Sequence, residues 1–287
     1  MTALRIITPR GYWRGVPEQP ERREMTVCIA AACGDEGGQA IVLCTDWRIS
    51  GALGSADTML KIRQIGQNWH LLTSGSESDI NAIVLAFRRA FPAGSTIDET
   101  NVPTIVRNVL NERKREKAEE FVRGKYAIGY DDLLNLGKDK LPADLYREAL
   151  LLISEIEIGC SCIIAGFDSS GHNFILETNS QCRVLVRDDF ATIGEGAYLA
   201  QTALLQRGHI SSRKLSETIY CVYEAKRYAE KVTSVGDVTS LHVIYPRRSR
   251  RLIEVTQVDD LKPYFAKFGP QRIEDTVDKV LKLLKDG

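Results

Sequence analysis

Residues 26–46 read TVCIAAACGDEGGQAIVLCTD, two apolar runs on either side of the glycine-rich link GDEGGQ at 34–39. Runs of this length, bounded by turn residues, read as strands, and the short link joins them as a hairpin. A second pair follows, MLKIRQI at 59–65 and WHLLTSG at 69–75, around Gly66-Gln67-Asn68. Directly after it, SESDINAIVLAFRRAF at 76–91 has apolar residues at helical spacing, a Ser/Asp start and Pro92 just past its end.

From about 101 to 157 the pattern is mostly helical and heavily charged, with NERKREKAEEFVRGK at 111–125 at its centre. Strand-like runs return with CSCIIAGF (160–167), NFILET (173–178) and CRVLV (182–186). Two helical stretches come next, AYLAQTALLQRG (197–208) and KLSETIYCVYEAKRYAEK (214–231). The strands VTSLHVIYP (238–246) and RLIEVTQ (251–257) and an amphipathic helix, RIEDTVDKVLKLLKD (272–286), finish the chain. Hairpins dominate the strand connections, so the sheets should be mainly antiparallel. The expected class is α/β in the α+β sense: a four-layer αββα sandwich, two sheets face to face with helices on both outer faces, which buries every apolar stripe. Residues 1–24 read as a polar tail or propeptide, and 25–287 as one domain with a helical insertion near 105–155.

Composition excludes several classes. The 287 residues carry 38 Lys+Arg and 38 Asp+Glu, so there is no bulk field for nucleic acid or an anionic membrane. No apolar run approaches the roughly 18–20 residues of a membrane span. Residues 1–24 lack the apolar core of a secretory signal. The seven cysteines (28, 33, 44, 160, 162, 182, 221) are odd in number and contain no CxxC pair, against a disulfide scaffold or a zinc finger. The expectation is a cytoplasmic chain with no nucleic-acid and no membrane partner.

No GxSxG elbow, GxxxxGK[ST] phosphate loop or HExxH zinc helix is present. His70, His172, His209 and His242 are far apart and show no ligand spacing, so no metal and no cofactor is expected, and His242 should pack within a strand. Polar residues at strand ends stand out instead. Asp46 closes its apolar run. Lys61, between Leu60 and Ile62, is either a snorkelling edge residue or a buried cation that needs a carboxylate. Gly75 ends its strand just before a helix, where it is either a turn glycine or a backbone N–H facing a ligand.

The order Thr26, strand, turn, strand, Asp46, then Lys61, then Gly75 before a helix containing Asp79, resembles the proteasome β-type subunits, which are N-terminal-nucleophile hydrolases. CSCIIAGFDSSGHNFILET (160–178) is similar to that family's strand pair around a Gly-Phe/Trp-Asp turn. ATIGEGAYLAQTALLQRG (191–208) is similar to its glycine-rich turn leading into a helix, and TSVGDVTSLHVI (233–244) to its late strand. The likeness covers about 25–257, interrupted by the charged segment near 105–155.

The resemblance implies that Thr26 is the nucleophile. A threonine hydroxyl needs a base, and its own α-amino group serves once free, with an ordinary pKa of roughly 7.7–8.0. A nearby Lys61 ammonium would lower that value further. Asp46 would hold Lys61, and the Gly75 N–H would bind the oxyanion. Three routes stay open: translation from Met25 with methionine removal, autocleavage after Met25 where processed members carry glycine, or a Thr26 that is never freed. The family's serine in a Gly-Ser-Gly turn corresponds to Glu195, its late serine to Ser234, and the aspartate three residues before that serine to Lys231. From these departures two readings stay open: Glu195 and Lys231 face each other near Thr26, with Glu195 orienting the freed amine, or the correspondence slips by one near Glu230 and both side chains point to solvent. The implied activity is a threonine-type peptidase acting on a peptide or unfolded protein within a homo-oligomer, with an ATPase as a conceivable partner. The alternatives are a catalytically inactive structural subunit of the same fold and a small-amide hydrolase.

Overall fold

In the first hairpin, β1 (Cys28–Asp35) and β2 (Gly38–Asp46) pair antiparallel, with Ala32 opposite Ile41 and Asp35 opposite Gly38. Ile29, Ala31 and Cys33 enter one core cluster, while Cys28, Ala30 and Ala32 enter another. Both faces of β1 are therefore covered, which is why its sequence is apolar throughout instead of alternating. This computed structural model describes residues 26–35, 38–51, 54–57, 61–92, 97–98, 100–246, 251–253 and 255–269. The tail 1–24, Met25 and the helix expected at 272–286 lie outside the described residues.

The remaining elements follow in chain order. A ribbon, β3 (Arg48–Gly51) and β4 (Gly54–Asp57), precedes β5 (Ile62–Gln64), β6 (Trp69–Gly75) and α1 (Glu77–Ala90). The charged stretch folds as α2 (Val102–Tyr126), α3 (Tyr130–Lys140) and α4 (Ala143–Ser154). Then come β7 (Cys160–Phe167), β8 (Asn173–Thr178), β9 (Val184–Arg187), β10 (Phe190–Ile193), α5 (Ala197–Gln206) and α6 (Leu215–Ala229). The described chain closes with β11 (Thr239–Ile244), β12 (Arg251–Ile253), α7 (Val255–Asp259) and α8 (Lys262–Phe268). One five-stranded sheet has the order β10-β1-β2-β11-β12 and the other β5-β6-β7-β8-β9, and every pairing in both is antiparallel.

Three clusters hold these parts together. Cys28, Ala30, Leu43 and Ile244 of the first sheet meet Ile62, Leu72, Ile163 and Ile175 of the second in one buried cluster. On its other face the first sheet packs Ile29, Val42 and Leu241 against Leu204 of α5 and Val222 and Tyr223 of α6. The second sheet packs Leu71, Cys160, Cys162 and Ile164 against Ile83 and Phe87 of α1 and Val106 and Leu110 of α2. Full burial of a Leu, Ile or Phe side chain stabilises by about 1.5–3 kcal/mol, so these contacts outweigh local propensity wherever the two compete.

The stretch 251–257 shows such a competition. Its β-branched residues predict one strand, but β12 stops at Ile253 and a helical turn starts at Val255. Pairing with β11 spans only Leu241 to Val243, and the turn that follows carries Val258 into the α5–α6 cluster. Burial of that valine exceeds the about 1 kcal/mol range of strand propensity. The ribbon β3–β4 and the short β10 carry no readable apolar alternation in the sequence. In α2 the buried residues Val102, Val106, Val109 and Leu110 follow helical spacing, and beyond them the helix leaves the sheet. There Val122, Leu133 and Ala149 form a small separate core with α3 and α4.

Candidate active site

Thr26 lies just ahead of β1, Asp46 ends β2, and Lys61 stands immediately before β5. The folding of two hairpins against each other brings these three side chains into contact. Lys61 Nζ donates to Asp46 Oδ1 at 2.8 Å and also to Thr26 Oγ1, and the Thr26 hydroxyl donates to the same carboxylate oxygen. Thr26 is 2% exposed, Asp46 0% and Lys61 4%. Of the two sequence readings of Lys61, the buried cation with a carboxylate partner is the one the structure presents.

Asp46 is bonded through both oxygens. Oδ1 also accepts the Val27 N–H at 3.0 Å, and Oδ2 accepts those of Arg48 at 3.2 Å and Gly236 at 3.1 Å. A carboxylate removed from water needs this density of hydrogen-bond donors to offset its lost hydration. The Val27 and Arg48 amides flank the ends of its own hairpin. Gly236, by contrast, comes from the loop after α6, so Asp46 links three separate parts of the chain.

The glycine-rich turn at 194–196 presses on the Thr26 backbone. Gly194 has φ +96°, and a Cβ there would lie 2.3 Å from Thr26 O. The Gly196 N–H donates to that same carbonyl at 3.2 Å. A Cβ on Gly196 would meet Ala229 at 2.8 Å, Val235 at 2.9 Å and Val27 at 3.1 Å. Hence the 194–196 turn, the loop holding Ser234 to Gly236 and the start of β1 share one corner. Across that corner the Ser234 hydroxyl donates to the Glu195 carboxylate.

The expected Glu195–Lys231 pair does not form. Glu195 takes Ser234 as its partner, and Lys231 is exposed, its ammonium 4.8 Å from the Tyr228 ring centroid. The reason is the end of α6. Its last turn directs Glu230 toward Lys226 and Arg227, both of which it pairs, and Lys231 emerges in the turn beyond. Glu230 is thus held by side chains of its own helix.

Gly75 ends β6 with φ +137°, and a Cβ there would lie 2.4 Å from Gly159 O and 2.6 Å from the Cys160 Cα. Only glycine fits. The Ser76 N–H donates to Gly159 O at 3.0 Å. Hydrogen-bonded pairs alternate along an antiparallel ladder, so the next pair, Gly75 opposite Cys160, is the non-bonded kind. The Gly75 N–H is thereby turned away from β7, toward the β5 side of the sheet, the side on which Lys61 lies.

Sequence reasoning missed three supporting residues. Arg48 Nη1 donates to Thr233 O and Val235 O, each at 3.3 Å, and ties the loop after α6 to the end of β2. Lys226, fully buried in the last turn of α6, donates to Asp237 O at 2.8 Å and pairs with Glu230. Gly236 supplies only a backbone N–H. An apolar-flanked lysine is a readable signal, but a lysine in a charged helix and a backbone donor are not.

Cys28 is two residues from Thr26, so it is the other nucleophile to weigh. Burial pushes its thiol well above the ordinary cysteine range, and Lys61 only partly opposes this. Without a thiolate it is inert. Cys44, behind Asp46, is pushed up by burial to about 12. Among the described residues no group of three or more His, Cys, Asp or Glu is placed to hold a metal ion, and no helix is long and apolar enough to cross a membrane. His242 lies buried within β11. A scan against protein-family models finds no match to the chain, and a search of curated proteins finds none either.

Proposed function

We propose that this chain is a threonine-type amide hydrolase in which Thr26, once it is the amino-terminal residue, is the nucleophile. The observation that carries this reading is the contact of the Thr26 hydroxyl with both Lys61 and Asp46 in a buried corner. The resemblance to proteasome β-type subunits agrees with it. The four-layer αββα arrangement is part of the proposal, and the three clusters that join the sheets and their covering helices support it.

The freed α-amine takes the Thr26 Oγ1 proton as Oγ1 attacks the substrate carbonyl carbon. Lys61, anchored by Asp46, places a positive charge beside the developing alkoxide. The Gly75 N–H receives the carbonyl oxygen as it becomes an oxyanion, a contribution of about 3–4 kcal/mol in sites of this kind. The C–N bond breaks as the ammonium returns its proton to the leaving amine, and water then hydrolyses the Thr26 ester. Glu195 and Ser234, on the 194–236 corner, form the wall beside the Thr26 backbone. The substrate class is a peptide or an unfolded protein, processed inside a homo-oligomer in the cytoplasm, with an ATPase as the natural supplier of unfolded chain.

A second reading is a structural subunit of the same fold. It is favoured by the peptide bond between Met25 and Thr26, because a peptide nitrogen is no base. Turnover of fluorogenic peptide amides separates the two. The hydrolase reading expects turnover by the protein bearing Thr26 at its amino terminus and none by Thr26→Ala. Equal rates for the two proteins would overturn it.

A further inference from the structure

Behind Gly75, backbone and side chain are stacked so closely that no Cβ fits at two successive layers. A Cβ on Gly75 would lie 2.4 Å from Gly159 O, and one on Gly159, whose φ is +68°, would lie 2.1 Å from Asp79 Oδ2. Asp79 is itself clamped. Its Oδ2 accepts the Ser76 hydroxyl at 2.7 Å, and Lys117 Nζ donates to Oδ1 at 3.0 Å and Oδ2 at 3.1 Å. Arg113 pairs with Oδ1 at 3.5 Å. Both cations come from α2, the long helix of the charged insertion. A continuous series of contacts therefore runs from Gly75 through Gly159 and Asp79 to Lys117.

Helix capping does not require this much. Ser76 already accepts the Asp79 N–H as the N-cap, and a carboxylate in the first turn of α1 is satisfied by the helix dipole. Two cations delivered from another helix fix where the carboxylate sits, and its position fixes Gly159. Gly159 in turn holds the end of β6 through the Ser76 N–H.

We infer that Lys117, assisted by Arg113, is a positioning residue for the Gly75 N–H, so that the helical insertion braces the oxyanion side of the site. This rests on the amide-hydrolase reading of Thr26 and Gly75. Without Lys117 the Asp79 carboxylate keeps only the Ser76 hydroxyl and Arg113, its hold on Gly159 loosens, and the Gly75 N–H loses its fixed aim. Misplacement of such a group by about 1 Å costs up to about 100-fold in rate.

The test compares Lys117→Gln, Lys117→Arg, Arg113→Gln and the control Lys125→Gln, which removes the ammonium 2.8 Å from Glu148 near the other end of α2. Two readouts are needed: kcat and KM on a peptide amide, and amide hydrogen exchange at Gly75 and Ser76. The expected result for Lys117→Gln is a kcat reduced about 10- to 100-fold at nearly constant KM, with faster exchange at both amides. Lys117→Arg restores most of the rate, Arg113→Gln gives a smaller loss of the same kind, and Lys125→Gln changes neither readout. Wild-type kcat and exchange in Lys117→Gln would overturn the inference. If the wild-type protein bearing Thr26 at its amino terminus shows no Thr26-dependent turnover, the hydrolase reading falls. Exchange then decides the brace alone, and unchanged protection at Gly75 and Ser76 in Lys117→Gln rejects it.

Discussion

Lys61 Nζ lies 2.8 Å from Asp46 Oδ1, and the two side chains are 4% and 0% exposed. Neither charge reaches bulk water, so each depends on the other. Removing one partner of a buried pair leaves an uncompensated charge, at about 3–5 kcal/mol. Lys61→Ala should lower the unfolding free energy by that amount and abolish activity together. A denaturant melt superimposable on wild type would mean that the ammonium contributes nothing to the fold.

Thr26→Ala separates chemistry from stability. The substitution removes a hydroxyl but leaves the Lys61–Asp46 pair and the backbone donors on Asp46 in place. The hydroxyl bonds both Asp46 and Lys61, and a hydrogen bond to a charged group contributes about 1.5–3 kcal/mol net; because those two side chains keep each other, the melt should shift by about one such bond while peptide turnover disappears. Thr26→Ser, which keeps the hydroxyl, should keep measurable turnover.

Arg48 tests the loop that reaches Asp46 from the other side of the site. Its guanidinium holds Thr233 O and Val235 O, and the neighbouring Gly236 N–H bonds Asp46 Oδ2. Arg48→Ala should speed hydrogen exchange at Gly236 more than at the amides of β1. Hydrogen bonds to charged groups contribute about 1.5–3 kcal/mol, so exchange there should rise at least tenfold. Equal protection in the two proteins would show that the loop holds itself.

His209 supplies a pH dependence away from the site. Its Nε2 lies 3.1 Å from Ala32 O, and its ring packs edge-on to Phe190. Burial pushes its pKa below the usual 6.5; Arg213 lowers it further, while the contact with Ala32 and the charge of Asp189 oppose the shift. The folded state then binds this proton less readily than the unfolded one. Its stabilising effect is fully present above about pH 6.5 and is lost as pH falls through the window below. Melts at pH 7.5 and 5.5 should show wild type losing more stability than His209→Gln on acidification. An identical loss in both would place the titrating group elsewhere.

The first hairpin was legible because a strand covered on both faces writes an unbroken apolar run, and a Gly-rich link marks its turn. Asp46 and Gly75 close apolar runs and Lys61 interrupts one, which marks them in the sequence, whereas Thr26 stands out only through the resemblance to the proteasome β-type order. Arg48 and Lys226 were not legible. Their roles depend on which loop carbonyls they reach, and sequence periodicity holds no information about that. Lys231 was misplaced for the same reason: where the chain leaves α6 decides whether position 230 or 231 faces inward, and a shift of one residue changes the sign of the charge. The link from Lys117 to Asp79 is a contact across 38 residues between a helix of the insertion and the first turn of α1, and only the packing of α1 on α2 brings it about.

The central claim, that Thr26 is an amino-terminal nucleophile, is tested most directly by the intact mass of the protein made in its native host, with amino-terminal sequencing of the same sample. The account predicts a mature chain whose amino-terminal residue is Thr26. A mature chain that retains Met25 or any residue before it would contradict the account, because Thr26 would then carry a peptide nitrogen and no base.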